Sequence, residues 1–412
     1  MLFFHFLLER FMLSDVKVLD LSTLLPGPYA SMMLADLGAK VLRVESPTRV
    51  DLVREMTPKV EGSSVAHQYL NRSKKSIALD LKQPEAIEII KALVKEYDVV
   101  LEQFRPGVMD RLGIGYEVLK AINPKIIYCA ITGYGQTGPY KSRAGHDLNY
   151  LAIAGISSYS RRKEQSPTPQ GIQIADIAGG SLHVVIGILT ALHHRQRTGE
   201  GQMIDISMTD CAFALNAMSA AGTLAGNDVP MAESHPFNGG TFYDYYQTSD
   251  ARYLSIGSLE PKFFSGLCQL LGLEHLLPIA NKTSVQQHIK DSFIHAFKQK
   301  TYAQWQAIFI KHDLCVEPVL NLKEASEHPQ IVARGMIVDV PHPQSGMQKQ
   351  LGCPIKFSMY QTQYQQVGGE VGADGKQILT QLGFNNSKIN ALKKDGIVTF
   401  KTQSNLGKNL IT

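Results

Sequence analysis

The sequence predicts an α/β fold, with a large Rossmann-like domain built on a parallel sheet and a smaller α+β domain. From position 16 to about position 208, short β-branched runs alternate with helical stretches, which is typical of a parallel sheet covered by helices. After position 228 the pattern changes to aromatic-rich strands followed by several helices. The length of 412 residues exceeds that of one typical domain, roughly 100–200 residues. We therefore expect two or three folding units.

The elements of the first domain follow from these runs. Strands are predicted at residues 16–20, 40–45, 98–102, 125–131 and 202–208. Helices are predicted at residues 29–37, 84–97, 176–196 and 208–226. The first of these helices follows Pro28, which suits a first helical turn, and Gly38 is a typical residue for its end. The second helix has apolar residues three and four positions apart, the spacing of a core-facing helix.

The second domain begins after a linker at residues 231–240. A hairpin is predicted at residues 241–258, because the turn residues Ser249 and Asp250 separate two aromatic-rich runs. Later elements are predicted as helices at 261–271, 284–297 and 302–311, strands within 328–346, and one helix at 376–382. The resulting division is an N-terminal extension (1–13), the first part of the large domain (14–228), the linker and small domain (229–330), and a return to the large domain (331–412).

Composition excludes several classes of protein. The formal net charge is only +4, which provides no strong positive field to attract nucleic acid. Five cysteines without a CxxC pair argue against a thiolate zinc site and a disulfide scaffold, and they fit a reducing cytoplasm. Glu9 and Arg10 interrupt the apolar N-terminal run, far short of the ~20 residues that span a bilayer. We expect a cytoplasmic protein without nucleic-acid or membrane partners.

A literal GxGxxG motif spans residues 133–138 and follows a predicted strand. A nicotinamide dinucleotide site would also need a helix that starts in the loop and an acidic residue roughly 20 positions later. Pro139 follows at once, and the next segment does not continue as a βαβ unit. We therefore interpret the glycines as a tight loop where backbone approaches a ligand, without NAD.

Two predicted helix starts carry ionisable side chains. Asp176 precedes a long helix, where a carboxylate accepts hydrogen bonds from helix N–H groups, so a simple cap explains it. Gly179 and Gly180 are expected to leave room for a ligand beside it. His146 and Asp147 open another helix, but the chain has thirteen histidines, so spacing alone does not select His146.

Glu260 precedes Pro261 and is explained equally well as an acid in the first turn of a helix. The sequence contains neither a GxSxG nucleophile elbow nor an HExxH metal signature. These residues, considered one at a time, therefore do not select a reaction.

An ordered series of segments extends from about Ser14 to Val398. The segments are LDLSTLLPGPYASMMLADLGAKVLRVE (19–45), SIALDLK (76–82), FRPGVMDRLGIG (104–115), TGYGQTGP (132–139), RTGEGQMIDISM (197–208) and CVEPVL (315–320). Together they resemble the class III CoA-transferase family, also called the carnitine dehydratase and bile-acid-inducible family. The resemblance implies an acyl-CoA thioester substrate, two domains joined by long linkers, and a homodimer of two interlocked chains.

Finer features resemble the alpha-methylacyl-CoA racemase branch of this family. His146 in AGHDLNY, Glu260 in GSLEPKFF and the segment GGTFYDYYQTSDARYLSIG at 239–257 follow the racemase pattern. Asp176 matches a carboxylate of both branches, and in the transferases this carboxylate is the nucleophile that forms an acyl-enzyme anhydride. The resemblance therefore implies interconversion of (2R)- and (2S)-2-methylacyl-CoA thioesters. A class III CoA transferase that moves CoA between carboxylic acids is the alternative.

Two departures weaken the racemase assignment. Racemases tend to carry an arginine for a CoA phosphate at the position of Ser46, and Arg49, Arg54 or Lys75 would have to replace it. The segment at residues 55–76 is longer than its racemase counterpart and closer to that of the transferases.

The resemblance also implies a role for each catalytic candidate. His146 and Asp176 would flank the α-carbon, one removing a proton from one face while the other delivers a proton to the opposite face. Backbone N–H groups at the helix start of His146 and Asp147 would stabilise the enolate oxygen. Glu260 would hydrogen-bond His146, fix its tautomer and favour its protonated form.

Binding residues are implied for the CoA moiety and the thioester. They are Leu79, Asp80, Leu81, Lys82, Gln103, Phe104, Arg105, Arg111, Gly145, Asp147, Leu148, Asn149 and Tyr150. The arginines Arg105 and Arg111 would meet the CoA phosphates, because a guanidinium fork suits phosphate oxygens. No metal and no separate cofactor is expected, since coenzyme A is part of the substrate.

Overall fold

The structure, a computed structural model, describes residues 12–400. Contacts within the chain define two compact units. In the described range, the first unit comprises residues 12–151, 172–215 and 333–400, and the second comprises residues 152–171 and 216–332. The predicted N-terminal extension therefore lies almost wholly outside the described residues.

This division differs from the predicted one, in which the first part of the large domain runs unbroken from residue 14 to 228. Two pieces of that stretch belong to the second unit instead. The Tyr159 hydroxyl donates a hydrogen bond to the Asn216 side chain at 2.6 Å, and Arg162 forms an ion pair with Asp244 at 2.6 Å. These contacts join positions far apart in the chain, so local sequence patterns do not indicate them.

The secondary structure is numbered in chain order. Strands β1–β12 comprise Lys17–Asp20, Lys40–Glu45, Lys75–Leu79, Val99–Glu102, Ile127–Thr132, Met203–Ser207, Asp244–Gln247, Tyr253–Ile256, Val316–Pro318, Ile337–His342, Gly346–Leu351 and Val398–Thr399. Helices α1–α17 comprise Pro26–Asp36, Val65–Leu70, Pro84–Val94, Val108–Arg111, Tyr116–Ile122, Asp147–Ile153, Ile156–Tyr159, Leu182–Thr198, Met208–Ala214, Ala217–Gly226, Pro261–Leu271, Gln286–Phe297, Tyr302–Phe309, Leu322–Glu327, Pro329–Ala333, Gly375–Gln381 and Asn386–Lys394. A π-helix at Ala175–Ser181 leads directly into α8. Short 3₁₀ helices occur at Leu52–Glu55, Glu274–Ile279 and Thr283–Val285, and Lys59–Val60 pairs with Ser63–Ser64.

The first unit contains a seven-stranded sheet with the order β12-β3-β2-β1-β4-β5-β6. All its strand pairs are parallel except β12 with β3. The central order 3-2-1-4-5-6 is that of Rossmann-like sheets, in which the order of the strands along the sheet reverses between β1 and β4. The predicted α/β fold with a Rossmann-like large domain is therefore confirmed.

The predicted strands of this sheet agree with β1, β2, β4, β5 and β6 to within two residues at each end. Strand β3 is absent from the prediction, because its five residues begin with Lys75 and follow a polar stretch. Helix α17 is also absent from it, since only Ile389 and Leu392 of that polar segment are buried.

The core of the first unit lies between the sheet and its helices. On one face, Leu19, Leu42 and Ile77 of the sheet belong to the same buried cluster as Leu93 of α3 and Leu379 of α16. Helix α8 packs against α1 and β5. The continuous helical stretch Ala175–Thr198 is, in residues 12–400, the one long and apolar enough to cross a membrane, and half of its apolar window is buried.

The second unit has a three-stranded antiparallel sheet with the order β9-β8-β7. The β7–β8 hairpin confirms the predicted one, and helices α11, α12 and α13 begin within two residues of their predicted starts. The core is aromatic, with Phe293, Phe297 and Trp305 at its centre. The Trp305 indole N–H donates to the Phe297 carbonyl at 2.9 Å, which satisfies the polar atom of that buried ring.

Candidate active site

Three predicted binding segments of the first unit lie at or after the carboxyl-terminal ends of sheet strands. Strand β3 ends at Leu79, β4 ends at Glu102 and β5 ends at Thr132. The binding segments that follow these strands are Leu79–Lys82, Gln103–Arg105 and Gly145–Tyr150. In open α/β sheets ligands bind outside this edge, near the point where the strand order reverses. Sheet topology thus associates all three segments with strands that end at this edge.

His146 and Asp176 come close together in the first unit. Asp147 begins α6, and its Oδ1 accepts a hydrogen bond from the Asp176 N–H at 3.0 Å. This bond connects the start of α6 to the first turn of the π-helix that carries Asp176. His146, which precedes Asp147, is near enough to stabilise the Asp176 carboxylate electrostatically. The segment that carries His146 and the π-helix that carries Asp176, thirty positions apart in sequence, are therefore neighbours in the fold.

The Asp176 carboxyl has an unusual affinity for protons. Burial and, next, the neighbouring Asp147 carboxylate raise its pKa to about 6, against a smaller opposing effect of His146. The charged form is disfavoured by desolvation and by a like charge, and favoured by an imidazolium. A carboxyl with this pKa exchanges protons readily near neutral pH, as a general acid–base group requires.

The π-helix that carries Asp176 is packed tightly at its glycines. A Cβ at Gly180 would lie 2.9 Å from both Ile131 Cδ1 and Met208 Cγ, and one at Gly179 would lie 3.2 Å from the Met208 carbonyl. Both glycines are buried. The expectation that they leave room for a ligand is therefore wrong, because they allow the π-helix to approach β5 and α9.

Of the two backbone N–H groups predicted to stabilise the enolate oxygen, that of His146 already donates a hydrogen bond within the protein. The His146 N–H donates to the Asn149 side chain at 3.0 Å, and the Asn149 N–H donates back to the His146 carbonyl at 2.8 Å. Within residues 12–400 the Asp147 N–H has no hydrogen-bond acceptor. The start of α6 thus offers the Asp147 N–H to a ligand, while Asn149 fixes the loop.

The GxGxxG loop is shaped by a tyrosine. Gly135 and Gly138 have φ values of +80° and +81°, as the tight-turn interpretation requires. A Cβ at Gly133 would lie 2.5 Å from the Tyr150 ring, so at this glycine the backbone closely approaches a side chain of the same unit, and the expected approach of the loop to a ligand stays a prediction. No helix begins in the loop, and α6 starts only at Asp147, which agrees with the absence of an NAD fingerprint.

The basic candidates for the CoA phosphates fall into two groups. Arg105 and Arg111 are exposed, and neither forms an ion pair within the described part of the chain. Arg54, in contrast, binds both oxygens of Glu45, at 2.9 and 2.7 Å. Lys75 begins β3 and so lies at the amino edge of the sheet. Of the three suggested replacements for the arginine absent at Ser46, only Arg49 is exposed, without an ion pair in residues 12–400, and located after the carboxyl-terminal end of a sheet strand, β2.

Glu102, the last residue of β4, was not among the predicted residues. Its side chain accepts hydrogen bonds from the Phe104 N–H at 2.7 Å and the Tyr128 hydroxyl at 3.3 Å. Burial raises its pKa to about 7. Glu102 thereby shapes the loop that carries Arg105. An acid at the end of an otherwise apolar strand was the available sequence signal.

Glu260 belongs to the second unit. It is exposed, precedes the first residue of α11, and its side chain forms no capping hydrogen bond. Its assignment to the catalytic group stays a prediction. Among residues 12–400, no group of three or more histidine, cysteine, aspartate or glutamate side chains is arranged to hold a metal ion.

Comparison with known proteins identifies the family. Residues 13–375 match the model of CoA-transferase family III. The chain is 35% identical over 395 residues to human alpha-methylacyl-CoA racemase, covering 94% of this chain and 97% of the relative. It is also 35% identical over 405 residues to an acyl-CoA transferase of Fusarium pseudograminearum, covering 94% and 88% of the two chains.

A solved structure of a CAIB/BAIF family protein from Brucella suis has the same fold. It superposes with a TM-score of 0.79 and 34% identity over 90% of this chain and 98% of the other. The family match covers most of the chain, and the relatives are matched over nearly their whole length. The chain belongs to CoA-transferase family III.

Proposed function

We propose that the protein is an alpha-methylacyl-CoA racemase that inverts the α-carbon of 2-methyl-branched acyl-CoA thioesters. The observation that carries this proposal is that the start of α6, next to His146, contacts the π-helix at Asp176, whose carboxyl has a pKa raised by burial to about 6. Inversion through an enolate needs two groups that both accept and donate protons. Similarity to the human alpha-methylacyl-CoA racemase supports the same activity.

The α-proton of a thioester is weakly acidic, and its removal places negative charge on the thioester oxygen. In the proposed reaction, one of His146 and Asp176 removes the proton and the other returns a proton to the opposite face. A positioned acid–base group contributes about 10²–10⁴-fold to the rate. With a pKa of about 6, Asp176 is mostly ionised at pH 7, yet it is a stronger base than an ordinary aspartate.

The enolate oxygen requires a donor that exists before the reaction begins. The Asp147 N–H at the start of α6 has the appropriate chemistry, and the hydrogen bond that the Asp176 N–H donates to the Asp147 side chain fixes the start of α6 against the π-helix. One preorganised donor contributes about 3–4 kcal/mol to transition-state stabilisation. Arg105, Arg111 and Arg49 would bind the CoA phosphates at the same sheet edge.

The experiment is incubation of one enantiomer of a 2-methylacyl-CoA with the protein in D₂O, without any acceptor acid. Racemisation gives deuterium at the α-carbon together with the opposite enantiomer. A panel of acyl chains in this assay identifies the preferred substrate. If the α-proton and the configuration are both retained across the panel, the protein is not a racemase.

A class III CoA transferase is the second candidate, because the Fusarium acyl-CoA transferase is as similar to this chain as the human racemase. In that reaction the Asp176 carboxylate attacks the thioester carbonyl, the C–S bond breaks, and a mixed anhydride and the CoA thiolate form. The thiolate then attacks the aspartyl carbonyl, which releases the donor acid and gives an aspartyl-CoA thioester. The same two steps with the acceptor carboxylate transfer CoA to the second acid and restore Asp176. CoA transfer to an added carboxylic acid, with hydroxylamine trapping at Asp176, would identify it. His146→Ala should abolish racemisation but leave transfer intact. The homodimer, the cytoplasmic location and the role of Glu260 stay predictions.

A further inference from the structure

A cavity of about 550 Å³ lies in the first unit at the amino-terminal edge of the sheet, opposite the candidate active site. Its walls come from the starts of β1, β2 and β3, the end of α3, helix α16 and the segment around Tyr360. Of the residues suggested for catalysis or CoA binding, only Lys75 lines it, and its position at the amino edge separates it from the other candidates. A ligand bound in this cavity would therefore be separate from the substrate of the proposed reaction.

Three lysines border this cavity on the same face of the sheet. Lys17 begins β1 and pairs directly with Lys40, the first residue of β2. Lys75 begins β3 and pairs with Leu42, two positions after Lys40. Directly paired residues of neighbouring parallel strands, and residues two apart on one strand, point to the same face. The three lysine side chains therefore leave the same face of the sheet, on three neighbouring strands.

Acidic groups compensate these charges only in part. Glu96 lies 3.3 Å from Lys17 Nζ, and it is the one acidic residue in the lining. Lys75 Nζ contacts the neutral Gln377 side chain at 3.5 Å. In residues 12–400 Lys40 has no ion-pair partner, and it is exposed. Like charges directly opposite each other in a sheet are destabilising, so this arrangement favours a bound anion.

The floor of the cavity has the opposite character. Ala39, Leu42, Leu93 and Ile378 line it and are buried. No arginine is present in the lining, so the planar fork that matches phosphate oxygens is missing. A ligand that fits both parts has an aliphatic chain for the floor and a single small anionic head for the lysines.

We infer that this amino-edge cavity binds an aliphatic carboxylate through Lys17, Lys40 and Lys75. The carboxylate lies among the ammonium groups, and the hydrocarbon chain replaces water against the aliphatic floor. Burial of a chain of several methylenes supplies affinity, and the lysines supply selectivity for the anion over a neutral analogue.

Isothermal titration calorimetry of octanoate into the full chain tests this inference. The protein is first saturated with CoA, so that the carboxyl-terminal edge is occupied. We expect saturable binding of one octanoate per chain and at least about tenfold weaker binding of octan-1-ol, which has the same chain without the charge. Absence of saturable octanoate binding, or equal affinities for the acid and the alcohol, would overturn the inference.

Lysine variants locate the binding. Lys40→Met with Lys75→Met should weaken octanoate binding at least about tenfold. Lys376→Met, which removes an exposed lysine of α16 outside the lining, should leave it unchanged. Both variants are checked by circular dichroism, and Lys40→Gln with Lys75→Gln replaces the methionine pair if that pair aggregates. Equal octanoate affinity in the wild type and the double variant would place the ligand elsewhere and contradict the inference.

Discussion

At the level of single residues, the Asp147 carboxylate has two effects on Asp176. It accepts the Asp176 N–H, and its charge is the second cause, after burial, of the raised pKa of Asp176. The sequence could indicate Asp147 only as a residue of the thioester site. Its contact with Asp176 depends on the meeting of α6 with the π-helix, twenty-nine positions apart.

Asp147→Asn separates these two effects, because the amide oxygen still accepts the hydrogen bond while the like charge is lost. The pKa of Asp176 should fall, so the acidic limb of the kcat–pH profile should move to lower pH by roughly 0.5–1 unit. Asp210→Asn, at the exposed start of α9, is the matched control and should not move the limb. An unchanged limb in Asp147→Asn would show that Asp147 does not set the proton affinity of Asp176.

The raised pKa of Asp176 also has a consequence for stability. Its carboxyl binds a proton more tightly in the folded state, at about 6, than in the unfolded state, at 3.8. The raised pKa therefore lowers the free energy of unfolding of the wild type as pH rises from about 4 to about 7. Asp176→Asn has no carboxyl at this position and lacks this pH-dependent loss. The melting temperature of the variant relative to wild type should be higher at pH 8 than at pH 4. A difference in melting temperature that is the same at pH 4 and pH 8 would contradict the raised pKa of Asp176.

At the level of elements, the close packing of the π-helix at its glycines leads to a prediction about stability. Gly180→Ala places a Cβ 2.9 Å from Ile131 and Met208, which is overpacking. We expect a loss of about 1–3 kcal/mol in the free energy of unfolding, and reduced racemisation because the π-helix carries Asp176. Gly369→Ala is the control in the same unit, since nothing lies within 4 Å of its added Cβ. Equal stability of the two variants in urea titrations would show that the π-helix tolerates the added Cβ at position 180.

The sequence predicts elements best where the hydrophobic pattern is strong. The predicted bounds agree closely with the observed ones for the strands that are apolar or contain β-branched residues, which are β1, β2, β4, β5 and β6. Strand β3 begins with a lysine, and α17 is polar with only two buried side chains, so periodicity did not reveal them. Placement of residues 152–171 in the second unit depends on long-range contacts of Arg162, which no local pattern contains.

At the level of the whole molecule, the sheet edge determines where the CoA moiety would bind. The exposed Arg105 and Arg111 follow β4 at the carboxyl-terminal edge. Arg105→Gln and Arg111→Gln should each raise KM for an acyl-CoA about tenfold with little change in kcat, because a phosphate contact far from the α-carbon affects binding uniformly. A pantetheine thioester without the nucleotide is the control, and its KM should not change. An equal rise in KM for both substrates would exclude a phosphate contact.

Only part of the candidate site can be predicted from the sequence. His146 and Asp176 were selected by resemblance to a family, since thirteen histidines and a plain helix cap gave no reason to select them individually. The fold then explains their proximity through a parallel sheet and the α6–π-helix contact. The engaged His146 N–H could not be predicted, because its acceptor is the Asn149 side chain. Glu102 has a sequence signal as the acid that ends an apolar strand, but its hydrogen bonds to Phe104 and Tyr128 depend on the folded geometry.

The most direct test of two opposed proton-transfer groups is α-proton exchange in variants that each retain only one of them. His146→Ala and Asp176→Ala are incubated in D₂O with each pure enantiomer of a 2-methylacyl-CoA, and α-deuterium is measured by mass spectrometry. Both variants should lose racemisation, and each should still exchange the α-proton of one enantiomer, a different enantiomer in the two cases. Exchange of the same enantiomer by both variants, or racemisation retained by either, would contradict the account.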